Sequence, residues 1–188
     1  MVQANLEQIS SLKFVRIKNS ETVEHFDCGD ADLNDFILNK AGLFDMNLLA
    51  VSYACMESNR SGRVLAYCSL ANDKIAITDF ENKTEFNRFR KMQGFPNEKR
   101  LKSYPAVKLC RLGVMNQAKN KRIGTKVLNY LKTMFITNNR TGCRFITVDA
   151  YINAIPFYAK NGFQMLNSDD DEREPTRLMY FDLMDLVG

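Results

Sequence analysis

The sequence predicts a mixed α/β domain, one sheet with helices packed on its faces. Three observations carry this expectation. Strand-like apolar runs alternate with amphipathic segments along the whole chain. Two neighbouring strand-like runs flank Asn59-Arg60-Ser61-Gly62, a turn composition that predicts an antiparallel hairpin. The clearest helix, Lys121 to Thr137, has a strand-like run on either side. A chain of 188 residues is long enough for one domain with a sizeable core, and no linker, repeat or low-complexity block divides it. Residues 1–188 are therefore expected to form a single domain.

The elements follow in order. Phe14 to Lys18 alternates apolar and polar residues, as a half-buried strand does. Gly29-Asp30-Ala31-Asp32 offers a turn and a helix cap, after which Leu33, Phe36, Ile37, Ala41 and Phe44 recur at helical spacing. Leu49 to Met56 and Arg63 to Leu70 form the hairpin. Asp73 to Tyr104 is less regular. It reads as an insertion or mobile loop, with a short helix over Glu81 to Met92 broken by Gly94-Phe95-Pro96-Asn97. Ala106 to Val114 is the next strand. In the helix that follows, Ile123, Val127, Leu128, Leu131, Met134 and Phe135 form the apolar stripe. A strand at Arg144 to Ala150, a short helix at about Ala154 to Lys160, and an extended run from Phe163 to Leu166 come next. An acidic loop, Ser168 to Pro175, precedes a last strand from Arg177 to Leu183.

Bulk properties exclude several classes of function. No apolar run approaches the length of a membrane span, and Met1 to Glu7 does not resemble a secretory signal, so a cytoplasmic protein is expected. The five cysteines are odd in number, widely spaced and without a Cys-x-x-Cys pair, and His25 is the only histidine. That composition argues for reduced, mostly buried thiols and against a disulfide framework or a metal site. The net charge of +4 hides an asymmetry. Lys83 to Lys132 contains 14 basic and two acidic residues, a net of +12, and the rest of the chain carries −8. An excess this one-sided suggests a polyanionic partner, although charges in helices and loops are often simply solvated.

Two segments point to chemistry. In Asn153-Ala154-Ile155-Pro156-Phe157-Tyr158-Ala159-Lys160-Asn161-Gly162-Phe163, a tyrosine and an asparagine follow a strand end, where open α/β sheets bind ligands. About 40 residues upstream, Ala106 to Val114 is followed by Lys119-Asn120-Lys121-Arg122-Ile123-Gly124-Thr125, a basic turn at the start of the clearest helix. A helix N-terminus of this kind offers backbone N–H groups to a phosphate. Read without a ligand, the same turn is a basic helix start, Leu112 and Val114 are core residues, and Tyr158 is an aromatic packed beside Phe157 and Phe163.

These segments resemble motifs A and B of the GNAT N-acetyltransferases. Phe26-Asp27-Cys28-Gly29 followed by Leu33-Asn34-Asp35-Phe36-Ile37 is similar to the front end of the GNAT toxins of toxin–antitoxin pairs, and Thr176 to Leu183 fits that group's last strand. The resemblance covers nearly the whole chain. It implies a central mixed, largely antiparallel sheet flanked by helices, with acetyl-CoA as co-substrate and no metal. It assigns the acyl carbonyl to the backbone of Leu112, Gly113 and Val114. It assigns the pyrophosphate to Lys119, Lys121, Arg122, Ile123, Gly124 and Thr125. Lys119 and Arg122 depart from the family pattern, which has Gln or Arg at the first position and Gly at the second. Asn153 either hydrogen-bonds the pantetheine or caps the short helix. Tyr158 would protonate the departing thiolate. No general base is identified: Lys108 and Arg111 stand where many members carry glutamate, and Asp149 and His25 have no assigned role.

The implied activity is transfer of an acetyl group from acetyl-CoA to a primary amine by direct attack in a ternary complex. One alternative is a toxin that acetylates the α-amine of aminoacyl-tRNA, with tRNA and an antitoxin protein as partners. A second is a non-catalytic acyl-CoA-binding module. A homodimer is compatible with each.

Overall fold

The computed structural model describes residues 12–18, 23–58, 63–95, 101–137, 141–167 and 174–187. Seven strands form a sheet in the order β1-β2-β3-β4-β5-β7-β6. These are β1 (Leu12–Ile17), β2 (Val51–Glu57), β3 (Val64–Ala76), β4 (Ser103–Val114), β5 (Phe145–Tyr151), β6 (Gln164–Met165) and β7 (Thr176–Asp182). The β1–β2, β2–β3, β5–β7 and β6–β7 pairs are antiparallel. Between β4 and β5 the pairing is parallel and spans Ala106–Lys108 against Phe145–Thr147. The helices are α1 (Ala31–Asp35) and α2 (Ala41–Met46), joined by a π-helical turn at Phe36–Lys40, then α3 (Lys83–Met92), α4 (Ile123–Thr137) and α5 (Ile155–Lys160). The mixed, mostly antiparallel sheet with flanking helices is the architecture expected from the sequence. The predicted hairpin turn, Pro96-Asn97, and the acidic loop up to Arg173 lie outside the described residues.

Contacts divide the chain into two compact units, Met1–Asn72 with Leu109–Asn139, and Asp73–Lys108 with Arg140–Gly188. Strands β3 and β4 each run through both. In the first unit, Asp30 caps α1 by accepting a hydrogen bond from the Leu33 N–H at 3.0 Å. Phe36, Ile37 and Ala41 bury the inner face of the helical segment, and Tyr67 on β3 is fully buried beneath it. The Tyr67 hydroxyl donates to the Leu33 carbonyl at 2.8 Å, so its one polar atom is satisfied. Val127, Leu128 and Leu131 of α4 are buried as the stripe requires, and Phe14 stacks on Tyr130 at 3.6 Å.

The second unit corrects one expectation. Asp73 to Phe95 is more regular than the sequence suggests. Strand β3 continues to Ala76, and α3 is capped by Asn82, which accepts from the Thr84 and Glu85 N–H groups. The α3 face carrying Phe86 and Phe89 packs with Ile75, Phe80, Tyr104, Phe145 and Tyr180 into an aromatic core. Phe89 contributes tilted and edge-on ring pairs to Phe145 and Tyr180. The short helix expected over Glu81 to Met92 is therefore present, as Lys83–Met92.

Candidate active site

In the first unit, the candidate cofactor segment is continuous along the chain. Strand β4 ends at Leu112-Gly113-Val114, with Leu112 and Val114 half-buried. Gly113 is required for a reason the sequence does not reveal. A Cβ there would stand 2.7 Å from Tyr67 Cε1 and 3.2 Å from Phe26 Cζ. The Met115 N–H then donates to the Leu65 carbonyl at 2.8 Å, which fastens the strand end to β3.

A 3-10 turn at Asn116–Ala118 leads into Lys119, and α4 begins at Ile123. Two residues between them are left-handed, Asn120 at φ 63° and Arg122 at φ 56°. The Arg122 carbonyl accepts from the Lys126 N–H at 3.0 Å, so Arg122 occupies the cap position of α4. An arginine side chain has no acceptor atom. The N–H groups of Ile123, Gly124 and Thr125 have no intrahelical partner by helix geometry. They also gain no capping oxygen from Arg122. The helix therefore opens with unsatisfied donors, the positive end of its dipole, and the exposed side chains of Lys121 and Arg122, an arrangement that fits a pyrophosphate. The family's glycine at the Arg122 position is explained by the backbone: the chain is left-handed there, and arginine holds a conformation that glycine adopts without strain.

The turn is braced by a network that the sequence reading missed. The Asp27 carboxylate accepts from the Gly29 N–H at 2.8 Å, the Asn34 amide at 2.8 Å and the Asn116 amide at 3.0 Å. The Asn116 N–H also donates to the Asp27 carbonyl. Asn34 in turn accepts from the Cys28 N–H at 3.0 Å. These bonds, led by the Gly29 N–H, hold the Asp27 carboxyl below its usual range. Lys119 lies beside this carboxylate, and its ammonium would be 3.5 Å from a Cβ at Gly29. Its charge is thus partly matched within the protein. The Phe26 to Gly29 and Leu33 to Asn34 pattern is a loop lock. Only its Asp and Asn residues hinted at this, because the third partner lies 89 residues away.

In the second unit, β5 ends at Tyr151 and a 3-10 turn (Ile152–Ala154) leads into α5. Ala154 occupies the α5 cap position, with no side-chain capping bond, so Asn153 is not the cap. Asn153 is exposed. Tyr158 is 7% exposed and lies among rings, with Phe157 at 5.1 Å and Phe163 at 5.4 Å. Burial pushes its phenol up to about 12. The helix stops sharply just past it. The Phe163 N–H donates to the Tyr158 carbonyl at 3.1 Å, and Gly162 is left-handed at φ 83°. Asp149 forms an ion pair with Lys108 at 2.5 Å, which accounts for both side chains. His25 is exposed in the first unit.

Residues 95–179 match the family model for the acetyltransferase (GNAT) domain, a span that includes β4, the turn, α4, β5 and α5. No curated protein matches the sequence significantly. Several solved structures do. A bacterial toxin aligns with a TM-score of 0.72 at 17% identity, covering 94% of this chain and 93% of that one. A tyrosine-to-phenylalanine mutant of KacT gives 0.73 at 18% identity, covering 94% and 98%. AtaT complexed with acetyl-methionyl-tRNAfMet gives 0.69 at 19% identity, covering 94% and 97%. The chain has the GNAT fold, and residues 95–179 match the model for the GNAT acetyltransferase domain. Within that class, the solved structures it is similar to include toxins.

Proposed function

We propose that the protein is an N-acetyltransferase that moves the acetyl group of acetyl-CoA to a primary amine by direct attack in a ternary complex. Residues 1–188 would act as one domain, in the cytoplasm, where acetyl-CoA is available. The observation that carries this reading is the start of α4. Three helix N–H donors, an arginine cap that cannot satisfy them, and a left-handed approach follow directly on β4, inside the matched domain. Ile123, Gly124 and Thr125 would hold the pyrophosphate through their backbone, with Lys119, Lys121 and Arg122 supplying charge. The backbone of Leu112, Gly113 and Val114 would hold the acyl oxygen and stabilise the negative charge that develops on it. Asn153 would hydrogen-bond the pantetheine.

The amine nitrogen forms its bond to the acyl carbon as the carbon–sulfur bond breaks. The Tyr158 hydroxyl gives its proton to the leaving sulfur, and the proton lost by the amine restores the balance. A phenol held near 12 is fully protonated at neutral pH and so is always ready as the acid.

A second reading is supported by the neighbours. AtaT has been solved with acetyl-methionyl-tRNAfMet and with the C-terminus of the antitoxin AtaR, and KacT with its partner and DNA. On this reading the acceptor is the α-amine of an aminoacyl-tRNA, and a neighbouring antitoxin is the protein partner. Incubating the protein with labelled acetyl-CoA and either charged tRNA, a lysine-containing peptide or small amines separates the readings. Label in charged tRNA alone supports the toxin. Label only in the peptide or small amines overturns the toxin. CoA binding without transfer to any acceptor leaves the non-catalytic module.

A further inference from the structure

We propose that Arg111 selects the acceptor, with its guanidinium taking an anionic oxygen carried close to the reacting amine. This rests on the acetyltransferase reading above. Arg111 immediately precedes the Leu112–Val114 strand end. Its guanidinium carbon lies 3.9 Å from the centroid of the Phe36 ring. Its Nε is buried with no hydrogen-bond partner. The facing carboxylate, Asp32, is 3.8 Å from the nearest guanidinium nitrogen, too far for a hydrogen bond. The Arg111 side chain remains 27% exposed and that of Asp32 65%.

A cation this enclosed ordinarily has its in-plane donors met by acceptors. Arg111 is held instead by a ring face, which fixes its plane and leaves its solvent edge for a ligand. A planar guanidinium matches the paired oxygens of phosphate or carboxylate. Asp32 is the competing anion. An exposed pair at this distance is weak, so an incoming anionic group can displace it.

The charge has a second effect. A fixed cation disfavours a neighbouring ammonium, and Arg111 cannot act as a base. The site therefore favours amines that lose their proton more readily. An α-amine, with a pKa of about 8, fits better than a lysine side chain at about 10.4. The acceptor class is an α-amine with an anionic oxygen nearby, carried either by a nucleotide phosphate or by the carboxylate of a free amino acid.

The test uses full-length protein and three probes: a glycyl ester of adenosine monophosphate, the same ester of adenosine without phosphate, and free glycine. Acetylation is compared in wild type, Arg111→Gln, Arg111→Lys and Asp32→Asn. The expected result is a drop of about tenfold in the kcat/KM ratio of the phosphorylated over the unphosphorylated ester in Arg111→Gln. Arg111→Lys should lose less, and Asp32→Asn should raise the ratio. If free glycine alone shows the Arg111 dependence, the anionic oxygen is a carboxylate. Equal ratios in wild type and in Arg111→Gln overturn the proposal, with Arg111→Lys as the variant that keeps the charge should the glutamine form not fold. If wild type acetylates none of the probes, the acetyltransferase reading is decided separately by the labelled acetyl-CoA assay with charged tRNA, peptide and small amines. The anion site is then judged by the Arg111 Nε–H resonance in a titration with adenosine monophosphate. A saturable shift supports it and no shift overturns it.

Discussion

Tyr158 combines two properties that rarely occur together in a packing residue. It is buried among Phe157 and Phe163, and it follows a strand end in the segment where ligands are expected. Burial disfavours the phenolate, so the phenol stays protonated well above the ordinary tyrosine range. The sign matters for its pH dependence. An acid is lost as pH rises through its pKa, so the wild-type kcat should not fall on account of this group at pH 10. The loss belongs near pH 12. Tyr158→Phe keeps the ring contacts and removes only the proton. It should lower kcat by about 10²-fold or more, while the KM for acetyl-CoA changes little. Steady-state kinetics across pH 7–10 on both forms would check this. Unchanged kcat in Tyr158→Phe would return the tyrosine to a packing role.

At the scale of elements, helices and strands with a clear apolar period were legible in the sequence. The α4 stripe of Val127, Leu128 and Leu131 is buried as its spacing requires. What was not legible depended on distant partners. The α3 helix was legible, but its packing was not: Phe86 and Phe89 meet Tyr104, Phe145 and Tyr180 in the second core, and no local pattern encodes those rings. Asp27 and Asn34 could be seen, but not Asn116 as the third member of their network. Gly113 was expected as a backbone donor, and its packing against Tyr67 was hidden. The turn into α4 was legible as a helix start, while its backbone geometry was not. Arg122 at φ 56° is strained by about 1 kcal/mol relative to glycine. Arg122→Gly should therefore relieve that strain in the folded state, offset by the greater backbone entropy of glycine in the unfolded chain. A thermal midpoint equal to or slightly above wild type is expected. Acetyl-CoA affinity should fall only modestly, because the N–H donors remain. A loss of binding as large as that from removing the whole turn would mean that the Arg122 side chain, and not the backbone, holds the cofactor.

The whole molecule carries its charge unevenly, and the structure narrows what that asymmetry offers a partner. Of the basic residues in the +12 segment, Lys108 pairs with Asp149, Arg90 donates to the Tyr104 hydroxyl, and Lys132 is buried. Exposed members remain in both units: Lys83, Arg88, Lys91 and Lys102 in the second, and Lys119, Lys121 and Arg122 in the first. On the proposed function, those of the turn would be taken up by a CoA phosphate. Those of α3 are not, because their helix buries only Phe86 and Phe89 and presents Arg88 and Lys91 outward. If the acceptor is charged tRNA, α3 contributes backbone phosphate contacts, and binding is governed by counterion release. Raising salt from about 50 to about 200 mM should then weaken tRNA binding by about 10³-fold if some six phosphates are contacted. Acetyl-CoA binding, with far fewer charges, should change much less. Arg88→Glu with Lys91→Glu leaves the buried aromatic face intact, so the fold should hold. The double variant should weaken tRNA binding and flatten its salt dependence, with little effect on acetylation of small amines. Filter binding at several salt concentrations would measure the slope. A shallow slope in wild type, or a slope unchanged in the double variant, would leave the α3 charges as a solvated face and point the enzyme toward a small acceptor.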